Sequence, residues 1–347
     1  MDKLVNWESL RNYCSELLVA QGMVAQDAFL VADSLVRADL CGIESHGVSR
    51  MSIYMRRVDE GVVNKNCHIS TLGEYPGSLA LDAHNSMGIV AGVRCMDKTI
   101  EKAKDSGAVF TTVRHSNHFG IAAYFTTRAA QAGMVGLAAS NAPPSMAPWG
   151  SPEKYIGTNP FSIAIPTRDE PIVLDMATSV VAQGKIIMAA KTNKKIPEGW
   201  AITTDGQATT DPDEALKGTV LPMGGPKGYG IAIAIDILCG ILTGAAFGPY
   251  LGNMWNDFEN HQNIGHTFFA ADVKKFIDYE IFLSQVELMK KEIRALPKSP
   301  FVREIYMPGE VEHTKAKQRK EEGIPVPDAV LDELIQLGQK WKVDFSL

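Results

Sequence analysis

The chain has 347 residues, of which 45% are hydrophobic and 21% charged, with a formal net charge of −6. That length exceeds one simple domain and suits two lobes or one large α/β unit, while the acidic balance argues against nucleic acid as the main partner. Five cysteines with no CxxC pair argue against a disulfide framework or a structural zinc site and point to a reducing cytoplasm, and the polar opening MDKLVNWESL does not read as a signal peptide.

Up to Gly61 the sequence reads as three helices. Asn6 is suited to cap a helix from Trp7 that stops near Gly22. A second runs from about Val24 to Gly42, and a third from about Glu44 to Gly61. Glycine is the usual punctuation after a helix end.

From about residue 70 to 222 short β-rich runs appear: SLALDA, AVFTTVR, MVGLAAS, FSIAIPT and PIVLDMA. Helical stretches lie between some of them, at 88–106 and 119–132. WAITTDGQATT reads as a hairpin with Asp205-Gly206 as a type I′ turn. In TTDPDEAL, Asp211 is a helix cap and Pro212 the first helical residue. Together these predict a mixed α/β lobe.

Beyond 226, segments near 227–245, 272–295 and 327–341 have helical character, and residues 304–326 read as a strand, a turn and a polar segment. GYGIAIAIDILCGILTGAAFG, 228–248, is apolar enough to suggest a membrane span. Asp236 in its middle would cost roughly 2.5–3.5 kcal/mol at mid-bilayer, so it reads as a buried soluble helix.

Four stretches carry candidate chemistry. In CGIESHGVSRMSIYMRRVDEG, residues 41–61, helical steps of four spread His46, Arg50 and Tyr54 over about 80° of one stripe. Arg50 could hold a carboxylate through two parallel hydrogen bonds, Tyr54 could add a third, and His46 could exchange a proton with the neighbouring oxygen. That spacing suits a 2-oxo or 2-hydroxy acid. A solvated helix face with a structural histidine is the alternative.

In VRHSNHFGIAAYF, 113–125, His115 and His118 follow a β-like run, where they can line a pocket, bind metal or serve a structural role; no nearby cysteine or acidic ligand completes a metal set. In GGPKGYG, 224–230, open backbone N–H groups and Lys227 favour a phosphate, unless the stretch is only a glycine-rich bend. It is no Walker loop, and GxGxxG occurs nowhere, which disfavours a classical Rossmann site. In GTNPFSIAIP, Thr158 and Asn159 could donate to a carboxylate. In VLDMATS, Asp175 could accept from ribose hydroxyls. Each also reads as ordinary turn chemistry.

Six motifs in order, RADLCGIESHGVSR, NHFGIAAYF, GTNPFSIAIP, LDMATSVVAQGKI, GGPKGYG and MPGE, resemble the malate/L-lactate dehydrogenase family of the non-Rossmann type. That family also includes ureidoglycolate, sulfolactate, diketogulonate and piperideine-2-carboxylate enzymes. The resemblance runs from about residue 37 to 310. It implies an α/β fold whose non-Rossmann mixed-sheet nicotinamide-binding lobe packs against a helical lobe built from both ends of the chain. The matching division is an N-terminal helical segment 1–72, a mixed α/β cofactor-binding lobe 73–222 and a mainly helical segment 223–347 that returns to both.

The resemblance also implies roles. His46 is the proton donor in reduction, oriented by Ser45, and His118 carries the acid/base role in some members. Arg50 clamps the substrate carboxylate, with Tyr54, Thr158 and Asn159 beside it. Cofactor contacts fall on His118, Phe119, Gly120, Ser140, Asp175, Met176, Ala177, Lys227, Gly228, Pro308, Gly309 and Glu310. Some members carry an acidic relay residue after the DMA strand; here the chain reads Gln183-Gly184-Lys185, and no such role is carried over.

The implied activity is oxidation of malate with NAD, or NADP in its place, by a cytoplasmic homodimer that needs neither metal nor membrane. Lactate, ureidoglycolate, sulfolactate and cyclic imino acids are the alternative substrates. A nucleotide-binding regulator that has lost turnover is the alternative of another class; the presence of Ser45, His46, Arg50 and His118 speaks against it.

Overall fold

The computed structural model describes residues 3–345. A short strand β1 (Lys3–Val5) leads into α1 (Trp7–Ala20) and α2 (Ala25–Leu40). The Asn6 side chain accepts from the N–H groups of Glu8 and Ser9, each at 3.0 Å, so α1 starts where the sequence predicts.

The third helix differs from expectation. Glu44–His46 and Val48–Arg50 are separate 3-10 turns, and only Met51–Asp59 is an α-helix, α3. Gly47 is extended, with φ −88° and ψ −155°, and the Asp39 carboxylate takes the Val48 N–H at 2.8 Å, so the helical ladder cannot run through. His46 therefore does not share one helical stripe with Arg50 and Tyr54.

The sheet lobe follows with β2 (Ser70–Tyr75), β3 (Ser78–Asp82), α4 (Gly88–Ser106), β4 (Ala108–Ser116), α5 (Ala123–Gln131), β5 (Met134–Ser140), β6 (Phe161–Ile165) and β7 (Ile172–Met176). The span of α4 matches the predicted one, whereas the predicted 119–132 helix begins later, at Ala123. A smaller unit contains α6 (Gln183–Lys191), β8 (Ala201–Ile202), β9 (Ala208–Thr209), α7 (Pro212–Lys217) and β10 (Thr219–Val220). β8 and β9 form the expected hairpin, but among the described residues Gly206 has φ 85° and Asp205 is not left-handed. A type I′ turn needs both residues there. The loop closes instead through Thr203, whose N–H donates to Gln207 O at 2.9 Å.

The last third contains α8 (Pro226–Asp236), β11 (Ile264–Asp272), α9 (Tyr279–Ala295), α10 (Glu310–Glu322), β12 (Ile324–Val326) and α11 (Asp328–Trp341). The apolar 228–248 segment is α8 followed by a π turn, Ile237–Ile241, and no described helix is long and apolar enough to cross a membrane. The predicted 227–245 helix thus stops short, and residue 272 ends a strand rather than opening a helix. The predicted strand and polar segment at 304–326 is mostly α10. That helix has one buried residue, Ala316, and is bounded by left-handed Gly309 and Gly323, so it gives no apolar stripe to read.

The seven-stranded sheet has the order β2-β3-β4-β11-β5-β6-β7. β3 and β4 are parallel and every other pair is antiparallel. Helices α4 and α5 cover one face, and α8 with its π turn approaches the other near β5, β11 and β4. A second core joins α1, α2 and α3 to Leu331 and Leu334 of α11. β1 and β12 pair antiparallel, with Val5 opposite Ile324, so both chain ends build this helical lobe.

Candidate active site

Two peptide segments converge beside the helical lobe. One is the broken turn 44–50 leading into α3. The other is the exit of β4, residues 117–120, which is fixed by hydrogen bonds between side chains and backbone. Buried Asn117 donates from Nδ2 to the carbonyls of Asn85 and Ser86, both at 3.0 Å. The His118 N–H donates to Gln262 Oε1 at 3.1 Å. A Cβ at Gly88 would lie 2.1 Å from the Asn117 carbonyl, so only glycine lets α4 start against this loop.

The convergence brings His46 and His118 together, with ring centroids 5.5 Å apart and planes 29° from parallel. Ser45 Oγ lies 2.9 Å from His46 Nδ1, and Tyr54 Oη lies 2.6 Å from His118 Nδ1. Arg50 stacks its guanidinium 4.4 Å from the centre of the Trp255 ring. Its Nε is buried with no partner among the described residues, which leaves a cationic donor for an anionic ligand. Neither Trp255 nor the Tyr54–His118 bond is legible in the sequence, because both join residues far apart in the chain.

Burial, then the charge of Arg50, lowers the His46 pKa to about 4. Burial likewise lowers that of His118 well below its ordinary value, aided by His46, Arg50 and His266. Both rings are therefore neutral at neutral pH. Burial also lowers Arg50 and raises Tyr54, which keeps the phenol protonated.

Behind this pair sits His266 of β11, fully buried. Its Nε2 lies 2.8 Å from Ser116 Oγ and its Nδ1 3.0 Å from Ser140 Oγ, while its ring stacks on Phe119 at 4.4 Å and 5°. Burial lowers its pKa to about 3. Ser140 is thereby tied to the sheet interior. His115 turns elsewhere: its Nδ1 lies 2.9 Å from Asp82 Oδ2, and Asp82 also holds Arg114 at 2.9 Å.

Asn159, buried and left-handed at φ 31°, accepts the Ala142 N–H at 3.0 Å and donates to Ala232 O at 2.9 Å. Its amide therefore bridges backbone segments. The neighbouring Thr158 carbonyl accepts the Thr178 N–H at 2.8 Å, which ties the β6 entry to the β7 exit. Met223 N–H donates to Thr178 O at 2.9 Å, so the GGPKGYG bend begins beside that exit. Lys227 is exposed in the first turn of α8, and a Cβ at Gly228 would lie 2.2 Å from Met223 O.

Asp175, at the end of β7, accepts the Ala123 N–H at 2.8 Å, and burial raises its pKa to about 6. Pro308 O accepts the Val173 N–H at 2.9 Å, Gly309 is left-handed at φ 91°, and Glu310 Oε2 accepts the Met307 N–H at 2.7 Å. A cavity of about 880 Å³ opens here, lined by Asp175, Pro308, Gly309, Ile43, Ile121 and Arg37 among others. This volume lies within the roughly 300–1,000 Å³ of small-molecule and cofactor sites, and its position at strand ends fits a nucleotide portion of a cofactor. Ile43 and Ile121 each lie three residues from His46 and His118, which join the two parts of the site through the chain.

The chain matches the family model described as malate/L-lactate dehydrogenase over residues 5–335. It is 39% identical over 345 residues to a malate dehydrogenase of Pyrococcus horikoshii, covering 97% of this chain and 95% of that one. It is 33% identical to a ureidoglycolate dehydrogenase (NAD(+)) of Escherichia coli O157:H7, covering 95% of each. The solved sulfolactate dehydrogenase of Methanocaldococcus jannaschii superposes with a TM-score of 0.93 at 35% identity, covering 99% of this chain and 98% of that one. With the mixed sheet, the paired histidines and the strand-end cavity, these matches make the chain a member of the malate/L-lactate dehydrogenase family, an NAD(P)-dependent oxidoreductase of 2-hydroxy acids.

Proposed function

We propose that the protein interconverts malate and oxaloacetate with NAD. The observation that carries this reading is the cluster of two neutral histidines beside an arginine whose buried Nε lacks a partner. Arg50 binds the C1 carboxylate, with Thr158 as a second donor and the Trp255 ring fixing the guanidinium plane. The bound carboxylate offsets the charge of Arg50, which eases protonation of the adjacent imidazoles. His46, held through Nδ1 by Ser45, exchanges a proton with the C2 oxygen. His118, held by Tyr54, would meet the nicotinamide end of the cofactor.

Asp175, Met176 and Ala177 with Pro308, Gly309 and Glu310 would hold the nucleotide at the cavity, and Lys227 and Gly228 would supply the phosphate contacts. When bound, the cofactor supplies or accepts the hydride at C2. The rest of the site sets the near-attack geometry of the substrate.

The active form is a homodimer in the cytoplasm. Outward-facing Ile237, Ile241 and Leu242 on the α8 extension are 47%, 56% and 56% exposed, an apolar surface that a second copy can cover. All five cysteines are free, which fits a reducing compartment.

The test is the NADH absorbance band on addition of oxaloacetate, pyruvate, sulfopyruvate, oxalurate and a cyclic imino acid. Fastest turnover is expected with oxaloacetate; a higher kcat/KM for another substrate replaces malate with its product. No consumption of NADH or NADPH by any of them overturns the dehydrogenase reading.

A further inference from the structure

The turn that carries His46 is held to α2 by a buried carboxylate. Asp39, in the last turn of α2, is 4% exposed. Its Oδ2 accepts the Val48 N–H at 2.8 Å. Gly47 passes directly over it: a Cβ there would lie 1.8 Å from Oδ1 and 2.2 Å from the carboxyl carbon. The φ and ψ of Gly47, −88° and −155°, are open to any residue. What demands glycine at this position is therefore the Asp39 side chain, not the backbone conformation. From the other side Arg319 of α10 donates to the Asp39 carbonyl and pairs with Glu44 at 2.7 Å. Both ends of the Glu44–Val48 turn are thus held, with His46 between them.

We infer that Asp39 is a positioning residue for His46: by taking the Val48 N–H it stops the helix at Gly47 and sets the angle at which the imidazole meets His118. Without that acceptor, Val48 N–H is free to compete for the Glu44 carbonyl, four residues back, which here accepts from Gly47 N–H and Ser49 Oγ, and the turn can wind into the continuous helix that the sequence pattern favours. His46 would then rotate with the helix away from the β4 exit. This inference rests on the proposed proton role of His46 only for its kinetic consequence. The geometric consequence stands without it.

Burial raises the Asp39 carboxyl to about 7, so asparagine, neutral and of the same shape, keeps the acceptor at little electrostatic cost. Leucine keeps the branched shape, with methyls bulkier than the oxygens, and removes the acceptor. Two readouts apply to D39N and D39L: kcat and KM with the best 2-oxo acid, and the rate of diethyl pyrocarbonate modification at His46, read by peptide mass spectrometry with exposed His84 as the internal control.

In D39L we expect kcat to fall about tenfold to a hundredfold, as for a misplaced catalytic group, with KM changed less than about threefold. His46 modification should accelerate relative to His84. D39N should restore both to near the wild-type values. Wild-type kcat and modification rates in D39L overturn the inference. So does a loss in D39N equal to that in D39L, and so does a kcat loss with His46 modification unchanged. If D39L does not fold, G47A carries the same test, because its methyl must displace the carboxylate; unchanged His46 modification in G47A overturns the inference. A protein with no turnover on any 2-oxo acid refutes the dehydrogenase reading, while the modification rates still decide the role of Asp39.

Discussion

The Tyr54 hydroxyl lies 2.6 Å from Nδ1 of His118, and the Ser45 hydroxyl lies 2.9 Å from Nδ1 of His46. Two residues of one short stretch therefore anchor the two imidazoles by the same nitrogen, which leaves Nε2 of each to meet a ligand. Tyr54 is 3% exposed, so this bond is made out of water, where loss of a partner is felt. Tyr54→Phe is expected to lower kcat about tenfold, the equivalent of roughly 1.4 kcal/mol, with little change in NADH affinity. Stopped-flow turnover and NADH fluorescence titration measure the two effects.

The histidines divide by what their loss affects. His46→Ala should reduce turnover by about 10²–10⁴ while NADH binding stays within a few-fold. His118→Ala should weaken NADH binding as well. Wild-type-like rates in His46→Ala would move the proton to His118.

Arg50→Lys keeps the charge and loses the planar fork that stacks on Trp255. The expected outcome is a KM for the 2-oxo acid raised about tenfold, with kcat less affected, corresponding to one charged hydrogen bond. Trp255→Ala should give a smaller rise of the same kind. An unchanged KM in Arg50→Lys would remove the clamp role.

His266 ties stability to pH. Its pKa is about 3 in the folded chain and near 6.5 when unfolded, so below pH 6.5 the unfolded state binds a proton that the folded state refuses. Its contribution is present above about pH 6.5 and is lost as pH falls toward 3. Asp39 and Asp175 act in the opposite sense, because their raised folded pKa values of about 7 and about 6 favour the folded state on acidification. Comparing wild type with His266→Gln cancels those two terms. Urea unfolding at pH 7 and pH 4.5 should show wild type losing roughly 2–3 kcal/mol more than the variant over that interval. Equal losses would place the acid sensitivity elsewhere.

The legible parts of the fold were those with local causes. Asn6 caps α1 by its own side chain, and the glycine and serine that bound α4 sit where the periodicity ends. The strands β3 to β7 announce themselves as short β-branched and aliphatic runs between turn residues. β11 was missed because its first five residues, Ile264–Phe268, are all buried, so no alternation marks a face. α10 was missed for the opposite reason, being polar on every side.

The site divides in the same way. Ser45 beside His46 is a nearest-neighbour relation and could be anticipated. The break at Gly47 could not, because its cause is Asp39, eight residues earlier, reaching over the turn. The partners of His118 come from α3 and from Gln262, and Trp255 reaches Arg50 from a loop with no periodic pattern. Those relations exist only once the sheet has closed.

That closure has a consequence for synthesis on the ribosome. β11 is the middle strand, bonded to β4 on one side and β5 on the other, yet it follows both by more than a hundred residues. Until Ile264–Asp272 emerges, the facing edges of β4 and β5 have no strand to bridge them. Such edges template aggregation. The delay is a period of vulnerability, and it ends when one late strand bridges both edges and, by bringing His266 under Phe119, completes the floor beneath the histidine pair.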